Sequence, residues 1–165
     1  MTNASTMNTN RFAWLENARD RALDFTARAQ GVAPLLGRLA VGLVFMSTGW
    51  GKVHNLEKVT GFFQGLGIPA PAFNAVLVGY SELLCGTALV LGLFTRLATL
   101  PLMVSMIVAI LTAKRSELHG LFDLVGFEEF TYLCVLAMIA VLGPGALAVD
   151  RFLPWLEGTR ARRAT

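Results

Sequence analysis

Residues 73–94 read FNAVLVGYSELLCGTALVLGLF, and the one charged side chain among them is Glu82. A helix needs about 20 mostly apolar residues to cross a hydrocarbon layer, so this segment is predicted to span a membrane. Three other stretches repeat the pattern. Residues 32–50 are interrupted only by Arg38, residues 97–113 carry no charge but hold Pro101 in their first turns, and residues 130–149 are uncharged with a Gly143-Pro144-Gly145 break near their end. Such prolines are tolerated where neighbouring helices satisfy the freed backbone groups. The runs lack period-two alternation and are too long for tilted barrel strands, which argues against a β-barrel. The fold class that follows is an all-α membrane protein, a bundle of four transmembrane helices.

Composition agrees. Of the 165 residues, 55% are hydrophobic and 15% charged, with a mean hydropathy of +0.58, whereas a soluble domain carries about 25% charged residues. The net charge of +3 does not mark a nucleic-acid partner. The basic residues gather at the chain ends and between apolar runs, with no aromatic-interleaved groove, so the partner they imply is the lipid bilayer. Residues 1–30 read as a polar tail followed by an amphipathic helix over 11–29. Phe12, Leu15, Ala18, Ala22, Leu23 and Phe25 share one face of it, as an interfacial helix requires. Residues 31–152 form the membrane domain and 153–165 a basic tail. A mixed-charge helix ahead of a late apolar run is not a cleavable signal peptide.

Orientation comes from lysine and arginine. With a cytoplasmic amino terminus, that side receives Arg11, Arg19, Arg21, Arg28, Arg38, Arg96, Arg151, Arg160, Arg162 and Arg163; the other receives Lys52, Lys58, Lys114 and Arg115. This asymmetry puts both termini in the cytoplasm. The two outer connections are rich in apolar residues. Leu56, Val59, Phe62, Phe63 and Leu66 suggest a short interfacial helix, and Leu118, Leu121, Phe122, Val125 and Phe127 a second surface-lying piece.

The candidate site starts from Glu82, about 15 Å along its helix from the outer end. A carboxylate there must face the bundle and either find a cation or stay protonated. Lys52 and Arg38 are the candidate partners, and Lys52 is favoured because its flexible stem can reach inward. Tyr80, His54 and His119 extend the cluster toward the outer side. Two readings stand: a buried ion pair that fixes helix pairing, or a proton-handling or ligand-orienting carboxylate. Arg38 and Arg96 are expected to meet phospholipid phosphates, and Asp150 and Arg151 to form a surface ion pair. Cys85 and Cys134 lie in separate apolar runs without a CxxC motif and are expected to act as small hydrophobes. Two histidines define no metal site, and no soluble-enzyme motif occurs, which leaves catalytic residues unassigned. Gly37, Gly42 and Gly49 on the first span and Gly79, Gly86 and Gly92 on the second mark faces that approach closely.

The ordered fragments GRLAVGLVFMSTGWGKV, FFQGLGIP, GYSELLCGTALVLGLFTRLA and GPGALAVDRF, from Gly37 to Phe152, resemble the DoxX family of bacterial membrane proteins. The likeness covers about residues 35–152. It rests on an arginine in the first span, Gly49-x-x-Lys52, Gly79-x-x-Glu82, Gly92-x-x-Thr95-Arg96, and Gly143-x-Gly145 with Asp150 following. The resemblance implies a four-helix protein of the bacterial inner membrane. It also implies a link to redox systems, since the family includes a membrane subunit of thiosulfate:quinone oxidoreductase. By position Arg38, Lys52, Glu82 and Arg96 match its polar pattern, and Gly49, Gly79, Gly86 and Gly92 its glycines. The leading functional expectation is a quinone- or small-molecule-handling component of a membrane redox system, working with a redox-protein partner or as a homo-oligomer. The alternative is a non-catalytic anchor or assembly factor for a partner protein. A small transporter is a weaker third, since no internal repeat is visible. A polar cavity around Glu82 opening to lipid would favour the first, and a dry, ion-paired bundle with one exposed apolar face the second.

Overall fold

A computed structural model describes residues 18–21, 32–145 and 147–152. Among these there are helices and turns but no strand: α1 (Val32–His54), α2 (Leu56–Gly65), α3 (Pro71–Leu91), α4 (Thr95–Thr112), α5 (Leu121–Gly126), α6 (Glu128–Leu142) and a final 3-10 turn (Val149–Phe152). The interfacial helix expected over 11–29 lies outside the described residues except for 18–21, which are helical and exposed.

Among the described residues three helices, α1, α3 and α4, are long and apolar enough to cross a membrane. The fourth expected span is shorter than its apolar run. It was to reach Val149, but α6 stops at Leu142 after 15 residues. Gly143 turns the backbone to φ 89 there, and Pro144 brings no backbone N–H to continue the ladder. In the same way α3 ends at Gly92, whose φ of 70 is the left-handed geometry of a helix stop.

The α1–α3 pair is the tightest in the molecule, and small residues explain why. A Cβ on Gly49 would overlap the backbone of Leu83, and one on Gly86 would stand 2.5 Å from the Met46 amide nitrogen. A Cβ on Gly42 would come within 3.0–3.1 Å of Val90 and the Gly86 carbonyl. Lipid supplies no hydrophobic force between helices, so this backbone approach provides the dispersion contacts that hold them. Val41 and Phe45 of α1, Leu89 of α3, Ala98, Leu102 and Met106 of α4 and Leu136 of α6 complete a common core. Phe45 meets Tyr132 edge-on at 5.9 Å between ring centroids. The outward faces carry exposed Leu36, Leu43, Leu84, Leu97, Val104 and Val141, a surface suited to acyl chains rather than water.

The end of the bundle where α3 gives way to α4 is closed by a long-range clasp. Asp150 accepts the backbone N–H groups of Phe94 and Thr95 at 2.6 and 2.9 Å, and its own N–H donates to the Gly92 carbonyl at 2.9 Å. It thereby caps α4, whose local N-cap, Phe94, has no side chain able to do so. Arg38 is 1% exposed and donates to the Pro144 and Leu147 carbonyls at 2.7 and 3.3 Å. One expectation is thereby corrected: Arg38 turns away from lipid phosphate because carbonyls freed after α6 need donors. The half-buried Asp150 carboxylate serves the first N–H groups of α4, while the ion pair expected with Arg151 involves a side chain outside the described residues.

Candidate functional site

The antiparallel register of α1 and α3 brings Lys52, in the last turn of α1, against Glu82, in the middle of α3. Lys52 Nζ donates to both carboxylate oxygens of Glu82, at 2.5 and 2.6 Å. Glu82 lies about 16 Å along the helix from Pro71 and is 1% exposed, while the Lys52 side chain keeps 30% of its surface open. Close approach at Gly79 permits this, since its missing Cβ would stand 3.4 Å from the Lys52 Cβ. A carboxylate removed from water needs a cation and filled lone pairs. The Thr48 hydroxyl, 3.1 Å from Glu82 Oε2, supplies a second donor, though its single hydrogen is also within reach of the Phe45 carbonyl at 3.2 Å.

Beside the pair lies a half-open cavity of 520 Å³ lined by α1, α2, α3 and α4. Glu82 and Ser105, in the middle of α3 and α4, line one end of it with Lys52 and Met106, its deep end along those helices; Asn74 and Thr112, near the helix ends, line the other with Lys58. The two ends are about 12 Å apart, from the helical rise between Asn74 and Glu82. Phe62, Phe63, Val59, Val78 and Ala109 make its walls. An apolar chamber of this size with a few polar groups at one end has the form of a small-molecule site.

The other sequence candidates fall elsewhere. Tyr80 is 46% exposed, because two helical positions from Glu82 is the opposite side of α3. His54 is exposed, stacks on Trp50 at 4.1 Å and bonds the Trp50 carbonyl through Nδ1 at 2.9 Å. His119 sits in the loop between α4 and α5, its Nδ1 3.1 Å from the Glu117 carbonyl. None of the three extends the Lys52–Glu82 cluster, so the polar group is smaller than expected. Arg38 belongs to the clasp at the α3–α4 turn, and Arg96 is exposed, 3.4 Å from the Val141 carbonyl. Among the glycines, Gly49, Gly79 and Gly86 line the α1–α3 contact, whereas Gly92 makes room for the Arg38 guanidinium. Thr48 and Ser105 were not singled out by sequence. Thr48 stands one turn before Lys52 and so shares its face; Ser105 offers no local signal. In the loop after α4 Lys114 pairs with Glu117 at 3.1 Å and lies 5.6 Å from the Phe127 ring. The hydrogen bond and charge of Glu117 hold its pKa above the usual lysine value. No group of three metal-ligating side chains occurs among the described residues.

Comparison with known proteins places this arrangement in a family. No solved structure matches the chain. The uncharacterised membrane protein Rv3486 of Mycobacterium tuberculosis is 38% identical over 127 residues, covering 70% of this chain and 78% of that protein. The inner membrane protein YphA of Escherichia coli is 30% identical over 138 residues, covering 79% and 96%. CatD of Bacillus subtilis, provisionally named an oxidoreductase, is 32% identical over 124 residues, covering 74% and 87%. The DoxX family model matches residues 33–115, a segment that holds α1 through α4 and both members of the ion pair. The chain is therefore a membrane protein that belongs to the DoxX family.

Proposed function

We propose that this protein is a component of a membrane redox system that holds a quinone or similar lipophilic small molecule beside Lys52 and Glu82. The observation that carries the reading is the 520 Å³ cavity, apolar along its walls and ending on a buried ion pair. A quinone ring partitions from the bilayer into such a chamber, and the Lys52 ammonium can donate to its carbonyl. The Lys52–Glu82 pair also offers an exchangeable proton at the point where a quinone takes one up on reduction. The name of the CatD relative lends support. Chain-borne redox centres are not part of the proposal; electrons come from a partner protein.

The proposal includes four spans, both termini in the cytoplasm and an inner-membrane location. The helix α6 rises only about 22 Å, but its flanks extend its reach. Phe127 before it lies against Lys114, just beyond α4, and Asp150 after it bonds the start of α4. The segment thus runs the length of α4 in the opposite direction, which supports a fourth crossing.

The test is purification in native lipid particles followed by mass spectrometry of bound quinones, for wild type and Lys52→Met. A quinone retained by the wild type and lost from the variant is expected. Equal retention by both would sink the assignment. A second reading, docking of a partner protein at the outer surface, draws on α5, where Leu121, Phe122 and Val125 are 80%, 95% and 62% exposed. Recovery of a partner that is lost on Phe122→Ser, with no bound quinone, would favour it.

A further inference from the structure

Resting on the reading of the cavity as a binding site, we infer that its deep end selects an uncharged molecule with a carbonyl-type acceptor and rejects anions. Ser105 is the second donor that makes the selection. The charge argument comes first. Lys52 already neutralises Glu82, whose two oxygens occupy two of the three ammonium hydrogens. One N–H remains for a ligand. A ligand carboxylate at that end would leave two negative charges sharing one cation within apolar walls, a costly arrangement in a low-dielectric site. A neutral acceptor takes the spare hydrogen without that cost.

The geometry of α4 supplies the second donor. Hydroxyls in apolar helices ordinarily bond back to a carbonyl three or four residues earlier. Thr99 does so to Arg96, Thr112 to Val108 and Thr87 to Leu83, each at 2.7 Å. Ser105 makes no such bond among the described residues, is half-buried, and lines the cavity across from α1. Its hydroxyl is thus uncommitted in a wall that otherwise needs no polar group. A ligand oxygen placed between α1 and α4 receives one hydrogen from each.

The experiment uses the full chain in lipid nanodiscs, with binding to empty nanodiscs subtracted. Three probes share one shape: acetylnaphthalene (neutral ketone), naphthoate (anion) and ethylnaphthalene (no acceptor). The ketone is expected to bind about 10-fold more tightly than either of the others, the yield of one or two well-placed hydrogen bonds. Ser105→Ala, at unchanged melting temperature, should weaken the ketone about 3- to 10-fold and leave ethylnaphthalene unaffected. Ala109→Phe, which fills the chamber, should abolish binding of the ketone. Naphthoate binding as tight as the ketone overturns the inference, as does ketone affinity indifferent to Ser105 but dependent on Lys52. Ketone affinity indifferent to Lys52 and Ala109 alike overturns the cavity reading itself, and this inference with it.

Discussion

Glu82 and Lys52 depend on each other, because a buried carboxylate needs its cation. Glu82→Gln keeps the side-chain shape but leaves an ammonium facing apolar walls, and Lys52→Met leaves a buried carboxylate. Removing one partner of a fully buried pair costs about 3–5 kcal/mol. The lysine variant is expected at that level, because Glu82 is 1% exposed. Glu82→Gln is expected to cost less, on the order of 2 kcal/mol, since Lys52 keeps 30% exposure and can swing away along its stem. The double variant should recover much of the loss, which thermal unfolding in detergent measures through a double-mutant cycle. Additive losses would show that the two residues do not interact. Folded double mutants that fail to bind quinone would separate the functional role from the structural one. Cys85 and Cys134 are free thiols, one half-buried and one exposed. Replacing both with alanine should leave ligand binding within about 2-fold of wild type, since the half-buried Cys85 acts as a small hydrophobe and neither thiol lines the cavity. The ion pair was legible in sequence because a charge inside an apolar run is conspicuous and only a neighbouring span can answer it. Thr48 and Ser105 were not, since hydroxyls are ordinary in such helices and only the three-dimensional neighbours reveal which one lacks a carbonyl.

At the scale of elements, helix existence followed from long apolar runs, but helix ends depended on geometry that a run does not record. The apolar stretch after Leu142 continues in composition, yet the chain leaves the helix at Gly143 because of its φ of 89 and the proline that follows. The cap on α4 was equally invisible. It comes from a residue 55 positions away, and capping rules read from sequence look only at neighbours. Asp150→Ala should therefore destabilise the protein by about 1–2 kcal/mol, the loss of an N-cap. Amide hydrogen exchange should rise first at Phe94 and Thr95. Unchanged exchange there would show that the carboxylate does not hold the turn. The α1–α3 seam yields a second expectation. Gly49→Ala introduces a Cβ that meets the Leu83 backbone, so the helices must separate. A loss of about 1–3 kcal/mol is expected for such overpacking, together with a shifted Lys52–Glu82 pair and weakened ligand binding. Normal ligand affinity in a destabilised Gly49→Ala protein would show that the site tolerates a change in helix spacing.

At the scale of the whole molecule, topology is open to direct test. Single cysteines at Ser5 or Arg160, in a chain without native cysteines, should react with an impermeant maleimide only after the cells are opened. Labelling of either from outside would reject the cytoplasmic termini. The Asp150 clasp can close only late in synthesis. The turn between α3 and α4 leaves the ribosome 55 residues ahead of Asp150, the residue that satisfies its backbone. At translation rates of 5–20 residues per second this is a wait of about 3–11 s. During that time the hairpin sits in the bilayer with that turn unfastened. Chains ending at Leu142 would carry α1 through α6 yet lack the carboxylate that fastens the turn. They should be cleared by membrane proteolysis faster than the complete protein, which pulse-chase labelling measures.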